Sequence, residues 1–224
     1  NWAFSLPIRM SRVMVLRAHE GAKVWSAGHD VRELPMPGRD PLGYDDPLVR
    51  VLREIQHLPM PVLAMIDGSV WGGACDVALT CDILIGSEKA QFTMTPAKIG
   101  VPYNPSGLLR FMNILGVNLA KEMFFTAQSL SAERAHAVGI LNHLVPSTEL
   151  EAFTYELAER ITRNSPLSIA ATKESFRLLG NASPLPPNMF ERIQGLRRAV
   201  YDSGDYKEGI QSFLERRPPV FKGE

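Results

Sequence analysis

The stretch SVWGGACD, residues 69–76, is the feature of the sequence that most directly suggests chemistry. It follows the apolar run Val62–Ile66, which predicts a buried strand, and it carries two glycines where a helix should begin. The start of a helix offers unpaired backbone N–H groups at its positive end, so it can hold an oxygen that carries negative charge. Close packing of another backbone explains a glycine pair as well, and the spacing leaves both explanations open.

A second stretch, VWSAGHDVRE at residues 24–33, offers similar backbone groups. Ser26, Ala27 and Gly28 form a turn of small residues that leads into His29 and Asp30. If this turn lies beside the glycine pair, N–H groups from the two segments can form a two-donor oxyanion hole, which stabilises negative charge on a carbonyl oxygen. A structural or surface role for the histidine is the alternative.

The charge and the apolar content of the chain exclude several classes of protein. Of 224 residues, 45% are apolar, and 24 basic residues balance 24 acidic ones. The chain is long enough for one domain with a substantial core, and its balanced charge gives no field that attracts nucleic acid or an anionic membrane. The most apolar stretch, residues 58–85, contains three aspartates and is too polar to span a bilayer. Cys75 and Cys81 are expected to be buried thiols in a reducing, cytoplasmic compartment.

Hydrophobic periodicity predicts an α/β core that is followed by a helical tail. Strands are predicted at residues 12–17, 62–66, 83–85 and 91–93, with helices at 47–57 and 72–79 between them. A segment rich in Gly, Pro and Asp, residues 21–46, is long enough to be a lid or a binding loop. Beyond residue 105 the pattern is almost wholly helical, with predicted helices at 106–114, 118–126, 132–137, 147–164, 166–179, 188–201 and 205–215.

The sequence closely resembles the crotonase (enoyl-CoA hydratase/isomerase) superfamily over nearly its whole length. The resemblance is carried, in chain order, by WSAGHDVRELP, PVLAMIDGSVWGGACDVALTCDILIGS, FTMTPAKIGVPYNPSG and SAERAHAVGILNHLV. It implies an α/β fold, a crotonase-like spiral of ββα units over residues 1–164, and a C-terminal helical segment, residues 165–224, that forms homotrimers or dimers of trimers. Only residues 1–11 precede the first predicted strand, so the first ββα unit is expected to be short or missing.

The resemblance also implies an acyl-CoA substrate and a set of residues that bind it. The thioester oxygen is expected between the backbone N–H groups of His29 and Gly73. The backbone from Ala27 to Val31 is expected along the pantetheine and phosphate end, and Arg216 beside the nucleotide, although a cation that complements the end of a helix explains Arg216 equally well. Trp71 is either an apolar wall of the site or part of the core. The expected coenzyme-binding residues are thus Ala27, Gly28, His29, Asp30, Val31, Trp71, Gly73, Thr95 and Arg216.

Two glutamates of the family's hydratases are absent from this sequence, which has Asp76 and Pro96 at those positions. Proline cannot act as a base. Decarboxylation of an acyl-CoA does not need a base. A glutamate at roughly 4 Å would moreover repel the substrate carboxylate, by about 1 kcal/mol in water and about 4 kcal/mol near a protein surface. Thr95 is expected to hold that carboxylate, and Tyr103 to orient it or to protonate the enolate. The alternatives are a cap for Thr95 and a buried aromatic ring for Tyr103.

Within the superfamily, the sequence resembles the decarboxylase subgroup through AGHD, SVWGGA, TMTP, GVPYN and ERIQGLRRAVYDSGDYKEG. This implies conversion of methylmalonyl-CoA to propionyl-CoA, with coenzyme A present only as part of the substrate and with no metal, biotin or other cofactor. Asp76 is then expected to line the site or to cap nearby backbone. The alternatives are hydration or isomerisation of an enoyl-CoA with Asp76 as the base, and a non-catalytic fragment that binds acyl-CoA.

Overall fold

The computed structural model of the protein describes residues 11–35, 38–180 and 186–223. The prediction that the first ββα unit is short or missing concerns residues 1–11, of which 1–10 lie outside these ranges. The strands are, in chain order, β1 (Met14–Arg17), β2 (Val24–Ser26), β3 (Val62–Ile66), β4 (Ser69–Trp71), β5 (Ile83–Gly86), β6 (Gln91–Thr93), β7 (Leu130–Ser131) and β8 (His143–Leu144). The helices are α1 (Pro47–His57), α2 (Gly73–Thr80), α3 (Pro105–Thr126), α4 (Ala132–Ala137), α5 (Leu150–Thr162), α6 (Pro166–Gly180), α7 (Pro187–Tyr201) and α8 (Gly204–Leu214).

The described strands form two four-stranded sheets, so the predicted α/β class is confirmed. One sheet has the order β1-β3-β5-β8 and is parallel throughout. In the other, β2, β4 and β6 are parallel and β7 joins the far edge antiparallel. All five residues of β3 are buried, which is typical of a central parallel strand covered on both faces. Because β2, β4 and β6 run parallel, the segments that follow them meet at one edge of their sheet.

The helix starts beside that edge are fixed by local chemistry. The Asp46 carboxylate accepts hydrogen bonds from the N–H groups of Leu48 and Val49, and proline occupies the first position of α1. Asn104 caps α3 in the same way through the N–H of Gly107. The start of α2 differs, because Gly72 precedes it with a positive φ of 51° and provides no side-chain cap. The first N–H groups of α2 are therefore not covered by a capping side chain.

Two strands that the sequence analysis missed, β2 and β4, are the ones that place the site. The predictions for β1, β3, β5, β6 and the other helices are confirmed to within a few residues at their ends, but the two helices predicted at 106–114 and 118–126 form the single α3, which is interrupted at Gly116. The two-residue strands β7 and β8 were missed as well. β2 lies in the segment predicted as a loop, and β4 in the stretch predicted as a turn. Each has three residues, so its regular conformation depends on pairing between β2 and β4 rather than on local propensity.

The last described helix packs back against the α/β core. Tyr206 on α8 is fully buried, and its hydroxyl donates to the Pro35 carbonyl oxygen at 3.0 Å. Gly209, one turn later, lies so close to the backbone of Ile99 that a Cβ atom there would overlap it. The division of the chain after residue 164 stays a prediction. No helix within the described ranges is long and apolar enough to cross a membrane.

Candidate active site

A cavity of about 790 Å³ opens where β2, β4 and β6 end. The residues predicted for the site line it, except Asp76 and Arg216: Ala27, Gly28, His29, Asp30, Val31, Trp71, Gly73, Thr95 and Tyr103. Pro96, which was predicted to replace a catalytic glutamate, lines it as well. The structure thus brings together three segments that are separated by more than twenty residues each along the chain.

The turn at Gly28 packs directly on the start of α2. Gly28 has a φ of +84°, and a Cβ atom there would lie 2.5 Å from the Trp71 carbonyl oxygen and 3.0 Å from the Gly73 nitrogen. A Cβ atom on Gly73 would in turn lie 3.6 Å from the His29 nitrogen. The two backbone segments are therefore neighbours, and glycine is required because no side chain fits between them.

The N–H groups of His29 and Gly73 both lack a hydrogen-bond acceptor within residues 11–35, 38–180 and 186–223. Their neighbours do not: the Gly72 N–H donates to the Thr93 carbonyl at 2.8 Å, and the Gly28 N–H to the Ser26 hydroxyl at 3.3 Å. Gly73 also stands at the positive end of α2. Both explanations of the glycine pair thus hold, since the close packing leaves two adjacent N–H groups available to an oxygen in the cavity.

The imidazole of His29 is anchored rather than free. Its Nε2 lies 3.0 Å from Asp46 Oδ2, and its Nδ1 lies 2.9 Å from the Asp30 carbonyl oxygen. The hydrogen bond to Asp46 raises the pKa of the ring, against the effect of burial. Because both ring nitrogens are engaged, the predicted binding of an oxygen by His29 depends on its backbone N–H.

Thr95 offers the hydroxyl that was predicted to hold a carboxylate. It stands just before a short 3₁₀ helix, Pro96–Ile99, but its side chain caps nothing there, so the alternative of a cap is wrong. A Cβ atom on Gly72 would lie 2.9 Å from Thr95 Oγ1, which places the hydroxyl beside the start of α2. The hydroxyl has no hydrogen-bond partner in the part of the chain that the structure describes.

Asp76 is placed differently from the prediction that it lines the site or caps backbone. Its side chain is fully buried, is not part of the cavity wall, and forms an ion pair with Arg110 of α3. Its second oxygen accepts the Tyr103 hydroxyl at 2.9 Å, and burial is the main cause that raises the pKa of Tyr103 well above its usual value. The single hydroxyl proton of Tyr103 is thus held away from the cavity, which disfavours the predicted delivery of a proton to an enolate. Arg110 was not predicted, because only the tertiary fold brings it to Asp76.

The remaining predicted residues divide into wall and surface. Trp71 is half-buried and lines the cavity, as an apolar wall would. Arg216 is exposed, has a φ of +55° and follows α8, so its contact with a nucleotide stays a prediction. Lys98, in the 3₁₀ helix Pro96–Ile99, also lines the cavity and was missed, since a lone lysine gives no sequence signal. The predicted buried thiols, Cys75 and Cys81, are confirmed, and burial raises the pKa of each to about 12.

Sequence comparisons connect this geometry to known proteins. A family model described as enoyl-CoA hydratase/isomerase matches residues 8–224. Methylmalonyl-CoA decarboxylase of Escherichia coli (strain K12) is 51% identical over 212 residues, which are 95% of this chain and 81% of that protein. Carnitinyl-CoA dehydratase of Salmonella typhi is 34% identical over 210 residues, or 91% of this chain and 78% of the relative.

Structural comparison gives the same result. The crystal structure of a methylmalonyl-CoA decarboxylase complexed with 2S-carboxypropyl CoA superposes with a TM-score of 0.93 at 51% identity, covering 95% of this chain and 82% of that one. A complex of methylmalonyl-CoA decarboxylase with 2-nitronate-propionyl-CoA matches with the same TM-score, identity and coverage. The family match spans nearly all of the sequence, and the strands and helices around the cavity are those of the shared fold. The chain therefore belongs to the enoyl-CoA hydratase/isomerase family and has the crotonase fold predicted for it.

Proposed function

We propose that this protein is an acyl-CoA decarboxylase that converts methylmalonyl-CoA to propionyl-CoA and CO₂. The observation that carries the proposal is the pair of unpartnered N–H groups, from His29 and Gly73, that meet in one cavity. Among the described residues that line this cavity, the one carboxylate belongs to Asp30, and it is engaged by the Arg32 guanidinium. Support comes from the 51% identity to the E. coli methylmalonyl-CoA decarboxylase and from the structures of such enzymes with CoA analogues.

In the proposed reaction the thioester oxygen lies between these two N–H groups. The bond to the carboxylate carbon breaks, its electron pair moves into the thioester carbonyl, and CO₂ leaves. The N–H groups stabilise the resulting enolate, and removal of one such donor typically lowers turnover by about 10²–10³. A proton then adds to the α-carbon to complete propionyl-CoA.

Thr95 is the group that we assign to the departing carboxylate. Its unpartnered hydroxyl stands beside Gly72, next to the start of α2. A hydrogen bond from this hydroxyl holds the carboxylate out of the thioester plane, so that the breaking bond overlaps the carbonyl π system. Tyr103 then has a supporting role, because its hydroxyl proton is engaged by Asp76.

Hydration or isomerisation of an enoyl-CoA is the second candidate, and the surroundings of Asp76 disfavour it. A general base must reach the proton that it removes. Asp76 is fully buried and paired with Arg110 and Tyr103, and Pro96 has no ionisable group. The proposed decarboxylation requires no metal, biotin or other cofactor, because the thioester itself accepts the electron pair.

We further propose that the protein acts as a homotrimer or a dimer of trimers in the cytoplasm. Large apolar side chains are exposed on several helices, among them Phe125 on α3, Phe176 and Leu179 on α6, and Leu196 on α7, and such surfaces favour association. The free, buried thiols suit a reducing compartment. A mass of three or six times the 24.8 kDa chain in light scattering is expected, and a stable monomer would contradict the oligomer. Recovery in the soluble cytoplasmic fraction tests the location.

The test of function is a mass-resolved assay of the purified protein with methylmalonyl-CoA and crotonyl-CoA in parallel. We expect propionyl-CoA from the first and no hydration of the second, with rates unchanged by a metal chelator or by avidin. Hydration of crotonyl-CoA without decarboxylation would make Asp76 a base and overturn the proposal. Inactivity of a well-folded oligomer that still binds CoA would favour the non-catalytic alternative.

A further inference from the structure

The side chain of His29 and the start of α1 form a polar link directly behind the two N–H groups. We propose that Asp46 is a positioning residue that fixes the position of the His29 N–H relative to the Gly73 N–H. This inference rests on the proposed function, in which those donors bind the thioester oxygen.

The first half of the link runs from Asp46 to His29. Asp46 Oδ2 lies 3.0 Å from His29 Nε2, and the two side chains are only 11% and 14% exposed. The opposite ring nitrogen is held at 2.9 Å by the Asp30 carbonyl oxygen. With both ends of the ring fixed, the backbone of His29 cannot rotate without breaking one of these hydrogen bonds.

The second half of the link runs from Asp46 through α1 to Gly73. Asp46 Oδ1 accepts the N–H of Leu48 at 2.9 Å, which fixes the first turn of α1. The Leu48 side chain packs over Gly73, where an added Cβ atom would lie 2.6 Å from Leu48 Cδ2. The Asp46 carboxylate therefore acts on both donors. It hydrogen-bonds the side chain of His29, and it anchors Leu48, whose side chain packs on Gly73.

The surroundings of His29 favour the imidazolium form. Both ring nitrogens face oxygen acceptors, so both carry a proton when the hydrogen bonds are made. The charged groups that face the ring are Asp46 from the start of α1 and Asp30 and Glu33 from the loop and the short helix after β2, while Arg32 and Lys98 line the same cavity. Of these, Asp46 makes the only side-chain hydrogen bond to the ring among the described residues.

The decisive variant is Asp46→Asn. Asparagine caps a helix as well as aspartate does, so α1 keeps its start while the charged bond to His29 is lost. We expect kcat for methylmalonyl-CoA to fall about 10- to 100-fold, because a small misplacement of a donor is costly in the transition state. KM should change by less than about threefold, since the substrate's ground state gains little from these donors. A folded variant with unchanged kcat would overturn the proposal.

Asp82→Asn is the matched control. Asp82 also accepts a backbone N–H, from Val62 at 2.7 Å, and also pairs with a cation, Lys173 at 2.7 Å, but it does not line the cavity. Because it is remote from the donors, kcat should stay within about twofold of the wild type. An equal loss of kcat in both variants would attribute the effect to stability and contradict a positioning role.

A double-mutant cycle tests whether Asp46 acts through the His29 ring. His29→Gln keeps the backbone N–H and removes the imidazole. If the link is as proposed, Asp46→Asn causes little further loss of kcat in the His29→Gln background, because coupled residues are not additive. Full additivity of the two losses would overturn the link.

The pH dependence has a defined sign. The pKa of His29 is raised above its ordinary value of 6.5, so the charged anchor is complete at low pH and is lost as the pH rises through the raised value. In wild-type protein kcat should therefore fall on the alkaline side, and Asp46→Asn should move this fall to lower pH. Histidine NMR, with His29 identified through His29→Gln, should show its pKa lowered in Asp46→Asn. An unmoved pKa would contradict the link.

A readout without turnover separates this inference from the proposed function. Propionyl-CoA labelled with ¹³C at the thioester carbonyl is bound to each variant, and the carbonyl stretch is measured by infrared difference spectroscopy. The wild type should lower this frequency, and Asp46→Asn should bring it back toward the free value. If the wild type lowers the frequency but does not decarboxylate methylmalonyl-CoA, the proposed function fails and the comparison still decides the role of Asp46. Equal carbonyl frequencies in the wild type and in Asp46→Asn would overturn the positioning role of Asp46.

Discussion

Replacement of Gly28 by alanine should separate the turn after β2 from the start of α2. The new Cβ atom would lie 2.5 Å from the Trp71 carbonyl oxygen, 3.0 Å from the Gly73 nitrogen and 3.1 Å from the Ala74 nitrogen. All three neighbours are backbone atoms, so none can turn aside as a flexible side chain would. Relief of the overlap requires the His29 backbone to move away from Gly73.

The expected cost has two parts. A φ of +84° costs alanine about 1–2 kcal/mol, and overlap in a tightly packed site costs about 1–3 kcal/mol. We therefore expect the free energy of unfolding to fall by about 2–5 kcal/mol. Displacement of one donor should lower kcat for methylmalonyl-CoA by about 100-fold.

Gly21→Ala is the control for this variant. Gly21 has a similar φ of +77°, but nothing lies within 4 Å of the position that its Cβ would take. It should lose only the conformational part of the stability, about 1–2 kcal/mol, and keep its kcat. Urea unfolding and steady-state kinetics of both variants measure the two quantities. Equal losses of stability, with kcat retained in Gly28→Ala, would refute the close approach as the origin of the donor geometry.

Three further comparisons test other parts of the site. Gly73→Pro should keep the fold, because proline is tolerated at the first position of a helix and the atom that its Cβ would overlap, Leu48 Cδ2, is the end of a flexible side chain. It should lower kcat by about 10²–10³ through loss of one donor; near-normal rates in the folded variant would contradict the donor assignment. Thr95→Val should reduce kcat more than Tyr103→Phe, and the reverse order would move the carboxylate-holding role to the tyrosine. Arg110→Met should cost about 3–5 kcal/mol in urea unfolding, because it strands a buried carboxylate, whereas Arg134→Met, which breaks an exposed pair, should cost far less.

Much of the site could be predicted because its groups belong to the backbone. Glycines at 28, 72 and 73 indicated where the chain must approach itself or a ligand, and the structure shows close backbone contact at Gly28 and Gly73. The apolar run of β3 and the periodicity of α1 predicted these elements to the residue. Such features depend on local sequence, which is why they can be read from it.

The features that escaped prediction depend on contacts between distant residues. The role of Asp76 is set by Arg110, 34 positions later, and by Tyr103, so no local pattern indicates it. The strands β2 and β4 are too short for a periodic signal and exist through their mutual pairing. The link from Asp46 to His29 joins residues 17 positions apart across a loop without regular period.

The central claim is that one thioester oxygen lies between the N–H groups of His29 and Gly73. The most direct test is a crystal structure of the protein with a non-reactive methylmalonyl-CoA analogue that keeps its carbonyl oxygen. The account predicts that oxygen at about 2.7–3.1 Å from both nitrogens, with the analogue's acidic group toward Thr95. A carbonyl oxygen bound by side chains, or one that points away from the start of α2, would contradict it.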